Sequence, residues 1–544
     1  MIDKKNISGD LFGGITAAVV ALPLALAFGV QSGRGAIAGL YGAIALGILA
    51  SILGGTKTQI SGPTGPMAVV AAAVIASEVA YYGSIEAAFA TIIATFVLAG
   101  VFQVLLGISG IGQYIRYMPY PVISGFMSGI GSIIILLQIF PFFGLNSPSK
   151  VIDIVSSLGE ISASLNLQAV LLSVGTLIII YLFPLITKKI PSTLVALIAL
   201  SVFSAYMGFD VPIIGDIPKG MPEIHVNTLL NLDWHHPMVI VIPAITLASL
   251  GAIDSLLTSV VADNMTKTKH NSNKELIGQG IGNTVAGLIG GLPGAGATMR
   301  TVVNINAGGR SRRSGFVHGL GLLFVLLGAG EYAAFIPLPV LAGILVTVGI
   351  GIIDYKGLKH ILKIPRSDAI VMVIVLVLTI FVNLLQAVAV GVVMASVLFM
   401  KQMGDTAESK TFTSDMDSLE PILFEDEKDL DKAGQKNIYV QHFDGPIFFG
   451  FTAHFNQVMA RTPNVKIIIL RMEKVPYVDQ SGMYAIEDAV LQLDKRGVMV
   501  LIVGIQDQPL SMLKGIRLIP AERVFSDFET LKDFIYIEEF QINT

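Results

Sequence analysis

Apolar residues fall into blocks of about 20 residues between Leu11 and Met400, and short polar or Gly/Pro-rich stretches separate the blocks. A helix of about that length crosses the hydrocarbon core of a bilayer. Beyond these blocks the sequence turns charged and loses the pattern. We therefore predict a polytopic α-helical membrane protein. Its predicted parts are a transmembrane domain over residues 1–401, a linker over 402–435 and an α/β domain over 436–544.

Fourteen blocks are predicted to form transmembrane helices. They lie at residues 11–30, 36–54, 64–82, 86–107, 121–143, 168–187, 192–208, 238–261, 277–291, 298–307, 315–331, 337–354, 367–383 and 384–400. This number of spans places nearly every loop lysine and arginine on the side of the N-terminus, and the opposite loops hold only Arg34, Lys150 and Lys219. Cytoplasmic loops carry such an excess of positive charge. We therefore expect a multi-pass protein of the inner (plasma) membrane with both termini in the cytoplasm.

A repeated motif relates the two halves of the membrane domain. The fifth span begins near "PYPVISGFMSGIG" at Pro119 and the twelfth near "PLPVLAGILVTVG" at Pro337, and both contain Pro-x-Pro-Val followed by two equally spaced glycines. The offset is seven spans, an odd number, so the two halves cross the membrane in opposite directions. Inverted repeats of this kind are typical of secondary transporters. We predict 14 transmembrane segments in a 7+7 inverted repeat.

The third and tenth spans, which correspond in this repeat, both open on Gly/Pro-rich stretches, "SGPTGP" from Ser61 and "LPGAGAT" from Leu292. Non-helical backbone at membrane depth occurs only where it is buried in protein or lines a cavity. A helix that starts there directs its free N–H groups and positive dipole end at the cavity, so two such starts form an anion site. We expect Thr64 and Thr298 to cap these helices and to donate to substrate oxygens. A plain kinked helix is the alternative.

Two ionisable residues lie within predicted spans, where charge is energetically costly. Asp254 lies deep in the eighth span, and Thr258 follows one turn later on the same helix face. These oxygens suit a hard cation or a proton, although a structural carboxylate is the alternative. Arg300 lies two residues into the tenth span. It either attracts the anion or pairs with a carboxylate or a lipid headgroup.

Composition excludes several other functions. The chain contains no cysteine, which excludes disulfides and thiolate nucleophiles, and its net charge of −4 argues against a nucleic-acid partner. The sequence shows no nucleophile–base arrangement, phosphate loop or metal-ligand cluster. We therefore expect neither an enzyme nor a bound cofactor.

Four stretches of this sequence resemble the sulfate permease (SulP) family of inorganic anion transporters. They are "GPTGPM", "SLGAIDSLLTSVVAD", "HNSNKELIGQGIGN" and "GAGATM" followed by "VVNINAGGR". Within the family they are most similar to the BicA-type bicarbonate transporters. The resemblance implies a membrane domain divided into core and gate subdomains, a cytoplasmic STAS domain and a homodimer held through that domain.

The resemblance also implies the identity of the site residues. Sodium would be bound by Asp254, Thr258, Gly296 and Thr298, and the anion would contact Thr64 and the backbone around Ala297. We add Gly65, Thr298 and Arg300 to the predicted anion site. One of these positions departs from the BicA-type pattern, because Arg300 stands where a small residue is expected, whereas many other family members carry arginine there. That departure leaves sulfate, chloride or a dicarboxylate open as the substrate.

The C-terminal region alternates predicted strands and helices. The strands are "NIYVQHF", "PIFFG", "VKIIILRM" and "VMVLIVG", and the helices are "FTAHFNQVMARTP", "SGMYAIEDAVLQLDKRG" and a final helical portion. The stretch "VPYVDQSGMYAIEDAV" resembles the STAS signature. Ser481 would occupy the position that is phosphorylated in related anti-sigma-factor antagonists, and a helix N-cap is its alternative role.

These observations favour a sodium-coupled anion symporter, with bicarbonate as the leading substrate and Asp254 as the coupling residue. Proton-coupled uptake of sulfate, another oxyanion or a dicarboxylate is the first alternative, with Asp254 taking the proton. A membrane sensor whose output is the C-terminal domain is the second. A nucleobase transporter shares the fold but is not expected to carry a STAS domain.

Overall fold

The computed structural model describes residues 6–148, 151–163, 165–187, 190–215, 222–230, 237–382, 384–415, 427, 438–461, 465–516 and 520–542. The chain divides into two compact units, Met1–Val393 and Met394–Thr544.

The first unit is helical, apart from two short strands. Its elements are α1 (Ile7–Gln31), α2 (Ala36–Leu53), β1 (Ser61–Gly62), α3 (Gly65–Tyr82), α4 (Ile85–Ile108), α5 (Tyr120–Phe142), α6 (Val151–Ser156), α7 (Leu167–Ile186), α8 (Ser192–Met207), α9 (Val226–Leu230), α10 (Pro237–Thr266), α11 (Ser272–Leu288), β2 (Ala295–Gly296), α12 (Thr298–Asn306), α13 (Arg312–Ala333), α14 (Leu338–Ile352), α15 (Tyr355–Lys359), α16 (Arg366–Phe381) and the start of α17 (Leu384–Lys410). Each of the fourteen predicted spans falls on one of these helices. Within the described residues, eight helices are long and apolar enough to cross a membrane. The predicted helical membrane fold is confirmed.

The repeated motif forms the starts of two matching helices. Pro119 and Pro337 are the N-cap residues of α5 and α14, and their backbone angles are nearly equal. These helices pack on one another through the last glycines of the two motifs. A Cβ atom on Gly131 would lie 2.6 Å from the carbonyl oxygen of Gly349, and one on Gly349 would lie 2.8 Å from that of Gly131. Only glycine permits this approach of two helix backbones.

The first glycine of each motif also contacts a neighbouring helix, and the two neighbouring helices correspond in the repeat. Gly125 on α5 lies against the backbone of α16 at Met372, and Gly343 on α14 lies against Thr176 of α7. The helices α7 and α16 are the sixth and thirteenth spans, again seven apart. The contacts therefore interchange under the symmetry of the repeat, which confirms the predicted 7+7 arrangement.

The helices of the first unit form two groups. The core bundle consists of α1–α4 and α10–α13, in which α11 packs on α2 and α4, and α13 packs on α1 and α2. The gate bundle consists of α5, α7, α8, α14 and α16. The helices α3, of 18 residues, and α12, of nine residues, both belong to the core bundle, so the core carries the irregular backbone that precedes them.

The second unit is an α/β domain. Its elements after α17 are β3 (Phe412–Asp415), β4 (Ile438–Asp444), α18 (Thr452–Ala460), β5 (Ile467–Lys474), α19 (Gln480–Lys495), β6 (Met499–Val503), α20 (Asp507–Ile516), β7 (Val524–Phe525) and α21 (Phe528–Ile542). The strands form one sheet in the order β3-β4-β5-β6-β7, in which β3 is antiparallel and the other pairings are parallel. Buried side chains of α18, α19 and α20 cover one face, and α21 covers the other. Apolar residues therefore alternate between two cores.

Three details of the second unit differ from the sequence predictions. The segment "PIFFG" is not a strand, because Pro446 lacks an N–H group and Ile447 forms only an isolated bridge with Val478. The short strands β3 and β7 were not predicted. The predicted linker 402–435 contains the end of α17 and the strand β3, and its residues 416–426 and 428–435 lie outside the described part of the chain.

Candidate functional site

The helices α3 and α12 begin side by side at a crossing of two short strands. β1 and β2 pair in antiparallel register, with Ser61 opposite Gly296 and Gly62 opposite Ala295. The N–H of Ala297 also donates to the carbonyl of Ile60 at 2.8 Å. α3 begins three residues after β1, and α12 begins two residues after β2. The strand pairing therefore fixes both helix starts at one place in the core bundle.

Both helix starts present backbone N–H groups that have no partner inside the helix. The first hydrogen bonds are those from Ala68 N–H to the Thr64 carbonyl and from Thr301 N–H to the Ala297 carbonyl, each 2.8 Å long. Earlier N–H groups of an α-helix cannot bond within it, and the positive end of the helix dipole lies with them. The N-cap residues Thr64 and Ala297 supply no side-chain cap. This is the chemistry of an anion site.

The hydroxyl of Thr64 has a different partner from the one that we predicted. Thr64 occupies the N-cap position of α3, but its Oγ1 donates to Oδ2 of Asp254 at 2.7 Å. Because the carboxylate takes this proton donor, the predicted side-chain cap is wrong. Thr298 is the first residue of α12 and not its N-cap. The hydrogen bond between Thr64 and Asp254 joins a predicted anion contact directly to a predicted cation ligand.

A second cluster of oxygen atoms lies one helix turn further along α10. Oγ1 of Thr258 donates to the carbonyl of Gly296 at 2.9 Å and lies 2.7 Å from Oγ1 of Thr298. Asp254, four residues earlier on α10, is 9% exposed. The donor set is one carboxylate, two hydroxyls and one carbonyl, all of them oxygens. A hard monovalent cation such as sodium fits this set, and unwound backbone carbonyls serve such ions in transporters.

The remaining predicted site residues lie around the crossing. Gly65 is buried at the start of α3, and a Cβ atom there would lie 2.8 Å from the side chains of both Ile134 and Ile352, which belong to the gate bundle. Ala297 is buried between β2 and α12. The core bundle therefore meets the gate bundle at the start of α3, where only glycine fits.

Arg300 is buried in the core bundle with its guanidinium behind the start of α3. Nη2 donates to the carbonyl of Pro63, the residue before Thr64, and Nη1 lies next to Gly62. Within the described residues Nη1 has no hydrogen-bond partner. The side chain therefore places a positive charge beside the crossing, in contact with the backbone that leads directly into α3.

Two recesses lie along α5. A cavity of about 600 Å³ lies near the end of α5 and is lined by α1, α3 and α14, including Ala27, Ala72 and Leu345. A smaller recess lies near the start of α5, where Val122 and Phe126 face Asp254. The two recesses lie at opposite ends of α5, and Asp254 of the candidate site lines the smaller one.

Sequence reasoning missed several residues that hold the crossing together. Ser255 Oγ accepts from Gly296 N–H at 3.0 Å, and Thr301 Oγ1 accepts from Ile60 N–H at 3.0 Å. Both are hydroxyls that lie one or three residues from a predicted ligand, and that proximity was the available signal. A second set lies on α11, where Glu275, Gln279 and Asn283 recur every four residues.

In the second unit, Ser481 is exposed at the second position of α19. The N-cap is Asp479, whose carboxylate accepts from Gly482 N–H at 2.7 Å. The alternative role of Ser481 as the N-cap is therefore wrong, because the aspartate two residues earlier already accepts from the first turn. A regulatory role for Ser481 stays a prediction.

Comparison with known proteins agrees with this architecture. A profile of the Sulfate permease family matches residues 7–375, and a profile of the STAS domain matches residues 429–531. The bicarbonate transporter BicA of Picosynechococcus sp. is 42% identical over 546 residues, which cover 98% of this chain and 96% of that protein.

Two solved structures extend the comparison. The transmembrane domain of a cyanobacterium bicarbonate transporter BicA superposes with a TM-score of 0.65 at 47% identity, covering 72% of this chain and 98% of that one. The overall structure of SLC26A9 superposes with a TM-score of 0.81 at 19% identity, covering 99% and 91%, and so shows a shared fold. The chain is a multi-pass membrane protein that carries a STAS domain and belongs to the sulfate permease family.

Proposed function

We propose that this protein is a sodium-coupled bicarbonate symporter of the inner (plasma) membrane, with both termini in the cytoplasm. The observation that carries the proposal is the 2.7 Å hydrogen bond between Thr64, at the start of α3, and Asp254. That bond joins the candidate anion and cation sites. The similarity to BicA proteins over nearly the whole chain supports bicarbonate as the anion.

In this proposal α3 and α12 bind the anion through backbone N–H groups and dipole ends at their starts. Each contributes roughly half an elementary charge of positive potential at its start. A monovalent anion such as bicarbonate is therefore balanced without a lysine in the site. Thr298 and the backbone around Gly65 and Ala297 would supply the contacts. Beside Ala297 the donors would be the N–H groups that follow it, because its own N–H donates to Ile60.

Coupling follows from the charge of Asp254. An unneutralised carboxylate next to the helix starts repels an incoming anion and is itself costly at membrane depth. Sodium held by Asp254, Thr258, Gly296 and Thr298 removes that repulsion. Conversely, the bound anion strengthens sodium binding by the same factor, because coupling between two sites is reciprocal. Neither ion then binds well alone.

Transport requires access to the site from each side in turn. We propose that the core bundle moves against the gate bundle, because the crossing lies in the core and Gly65 abuts Ile134 and Ile352 of the gate. The cavity near the end of α5 and the recess near its start would serve as the two access routes.

Uptake by purified protein in proteoliposomes tests the function. We expect labelled bicarbonate to accumulate when a sodium gradient is directed inward, and no accumulation when choline replaces sodium. A panel with sulfate, chloride and a dicarboxylate identifies the substrate. Uptake that follows a proton gradient without sodium would contradict sodium coupling. No flux of any anion would favour a sensor whose output is the STAS domain.

Arg300 favours a second candidate function, uptake of a divalent oxyanion such as sulfate, coupled to a proton on Asp254. A full positive charge beside the crossing stabilises a divalent anion more than a monovalent one, because the coulombic energy scales with the charge of the ligand. We expect Arg300→Gly to weaken sulfate binding more than bicarbonate binding. Competition assays with both anions measure the difference, and an unchanged selectivity order would remove Arg300 from substrate selection.

We also propose that the protein is a homodimer whose STAS domains supply much of the subunit contact. A chain that ends after Lys410, the last residue of α17, should retain the helical membrane fold, because residues Met1–Val393 form a compact unit of their own. Its dimer should be weaker than that of the full chain. Light scattering in detergent measures both masses, and a shortened chain that dimerises as fully as the intact one would contradict the proposal.

A further inference from the structure

Three polar side chains form a line along one face of α11. Glu275, Gln279 and Asn283 are separated by four residues each and are all buried. Residues at this spacing lie above one another on a helix. Buried polar groups of this kind cost free energy unless they are hydrogen-bonded. We name these three residues the α11 polar line.

Glu275 holds the segment that leads into β1. Its Oε2 accepts from the backbone N–H groups of Gly55 and Thr56 at 2.8 and 2.7 Å. Its Oε1 accepts from Nε2 of Gln59 and Nε2 of Gln279, both at 2.8 Å. One carboxylate thus fixes two backbone groups and two side chains that precede or flank the crossing.

The other two residues of the line hold the strands themselves. Gln279 Nε2 donates to Oγ of Ser61 in β1 at 2.5 Å. Asn283 makes two hydrogen bonds to the backbone of Gly294, just before β2. Its Oδ1 accepts from Gly294 N–H at 2.8 Å, and its Nδ2 donates to Gly294 C=O at 3.0 Å. The α11 polar line therefore anchors both segments that cross.

Gln59 connects this line to the candidate cation site. Its Nε2 is held by Glu275, and its Oε1 accepts from Oγ of Ser259 at 2.9 Å. The Gln59 amide lies next to Gly296, so that a Cβ atom on Gly296 would overlap the amide group. Gly296 is the residue whose carbonyl accepts from Thr258.

We infer that Glu275 and Gln59 are positioning residues for the coupling cation, and that the α11 polar line sets the spacing of the crossing strands. This inference rests on the proposed sodium site. The Gln59 amide, held by Glu275, fills the space that a side chain on Gly296 would occupy, and so restrains the residue whose carbonyl oxygen belongs to the candidate cation site. The strands that lead into the helix starts keep further supports when Gln59 or Glu275 is replaced. These are the β1–β2 pairing, the bond of Gln279 to Ser61 and the two bonds of Asn283 to Gly294.

Sodium dependence of the intact transporter tests the inference. We expect Gln59→Leu and Glu275→Leu to raise the half-saturating sodium concentration about 10- to 100-fold, as loss of partners behind a metal ligand does. The KM for bicarbonate at saturating sodium and the maximal rate should change far less. Glu275→Gln should behave nearly like wild type, because its carbonyl oxygen still accepts from Gly55 and Thr56. Its amide can donate to the side-chain oxygens of Gln59 and Gln279 once both amides have turned over.

Thr284→Val is the matched control, since Thr284 lies on α11 but its hydroxyl donates only along its own helix, to Gly280 at 2.9 Å. If the leucine variants do not fold, Gln59→Asn keeps the amide but is too short to reach both partners, and it should shift sodium dependence in the same direction. Stabilisation of purified protein by sodium, measured by thermal unfolding, gives a readout independent of transport.

Equal loss of sodium and bicarbonate affinity, or wild-type sodium dependence in Gln59→Leu and Glu275→Leu, would overturn the inference while the proposed function stands. A wild-type protein without sodium dependence would overturn the proposed coupling, and this inference with it. The two failures are therefore distinguishable in one set of measurements.

Discussion

Asp254→Asn should reduce sodium-driven bicarbonate uptake to background while the protein still folds. Asparagine keeps an oxygen that accepts the Thr64 hydroxyl, so the 2.7 Å bond and the packing of α10 against α3 survive. The negative charge is lost, and sodium then has only neutral ligands in Thr258, Gly296 and Thr298. We expect a loss of more than about 100-fold, beyond the range for residues that act through a ligand. Initial uptake rates in proteoliposomes measure it.

The same substitution elsewhere on α10 is the control. Asp263 lies nine residues later, at the end of the helix, and its carboxylate accepts from the backbone N–H of His270 at 2.9 Å. Asp263→Asn should retain sodium-dependent uptake, since asparagine also accepts this bond. Wild-type sodium dependence in Asp254→Asn would remove Asp254 from the coupling mechanism.

Gly294→Ala should abolish transport by pushing the two crossing segments apart. A Cβ atom on Gly294 would overlap the carbonyl group of Gly62 and lie 2.6 Å from the backbone nitrogen of Pro63. Backbone atoms cannot turn aside as a side chain can, and Asn283 holds Gly294 from the other side. Overpacking of this kind costs about 1 to 3 kcal/mol of unfolding free energy. Uptake and the thermal unfolding temperature should both fall.

Gly351 offers the matched control. It lies in α14, and beyond its chain neighbours and the adjacent backbone of its own helix no atom in the described part of the chain lies within 4 Å of its Cβ position. Gly351→Ala should leave uptake unchanged and stabilise the helix by up to about 1 kcal/mol, because alanine has the higher helix propensity. Normal uptake by Gly294→Ala would mean that the crossing tolerates a wider spacing than the structure has.

The irregular starts of α3 and α12 are predictable from sequence because Gly and Pro at the beginning of an apolar block break the helix there. Asp254 and Thr258 are predictable because polar groups at membrane depth are rare. Their partners are not, since the bond between Thr64 and Asp254 joins residues 190 positions apart. The local sequence around either residue does not indicate that the two side chains meet.

The α11 polar line shows a different limit. Its four-residue spacing is visible in "KELIGQGIGN", but the pattern of polar residues alone does not say whether they face solvent, a ligand or the backbone of a neighbouring segment. The structure shows that they face the backbone and side chains near β1 and β2. In the C-terminal domain, β3 and β7 escaped prediction because strands of four and two residues lack enough length for an alternating pattern.

Entry of radioactive sodium into proteoliposomes that contain the wild-type protein tests the central claim most directly, because it follows the coupling ion itself. With the membrane potential clamped, adding bicarbonate outside should accelerate sodium entry, and the sodium and bicarbonate that enter should keep a fixed ratio as either concentration is varied. Bicarbonate entry without any accompanying sodium would contradict the account.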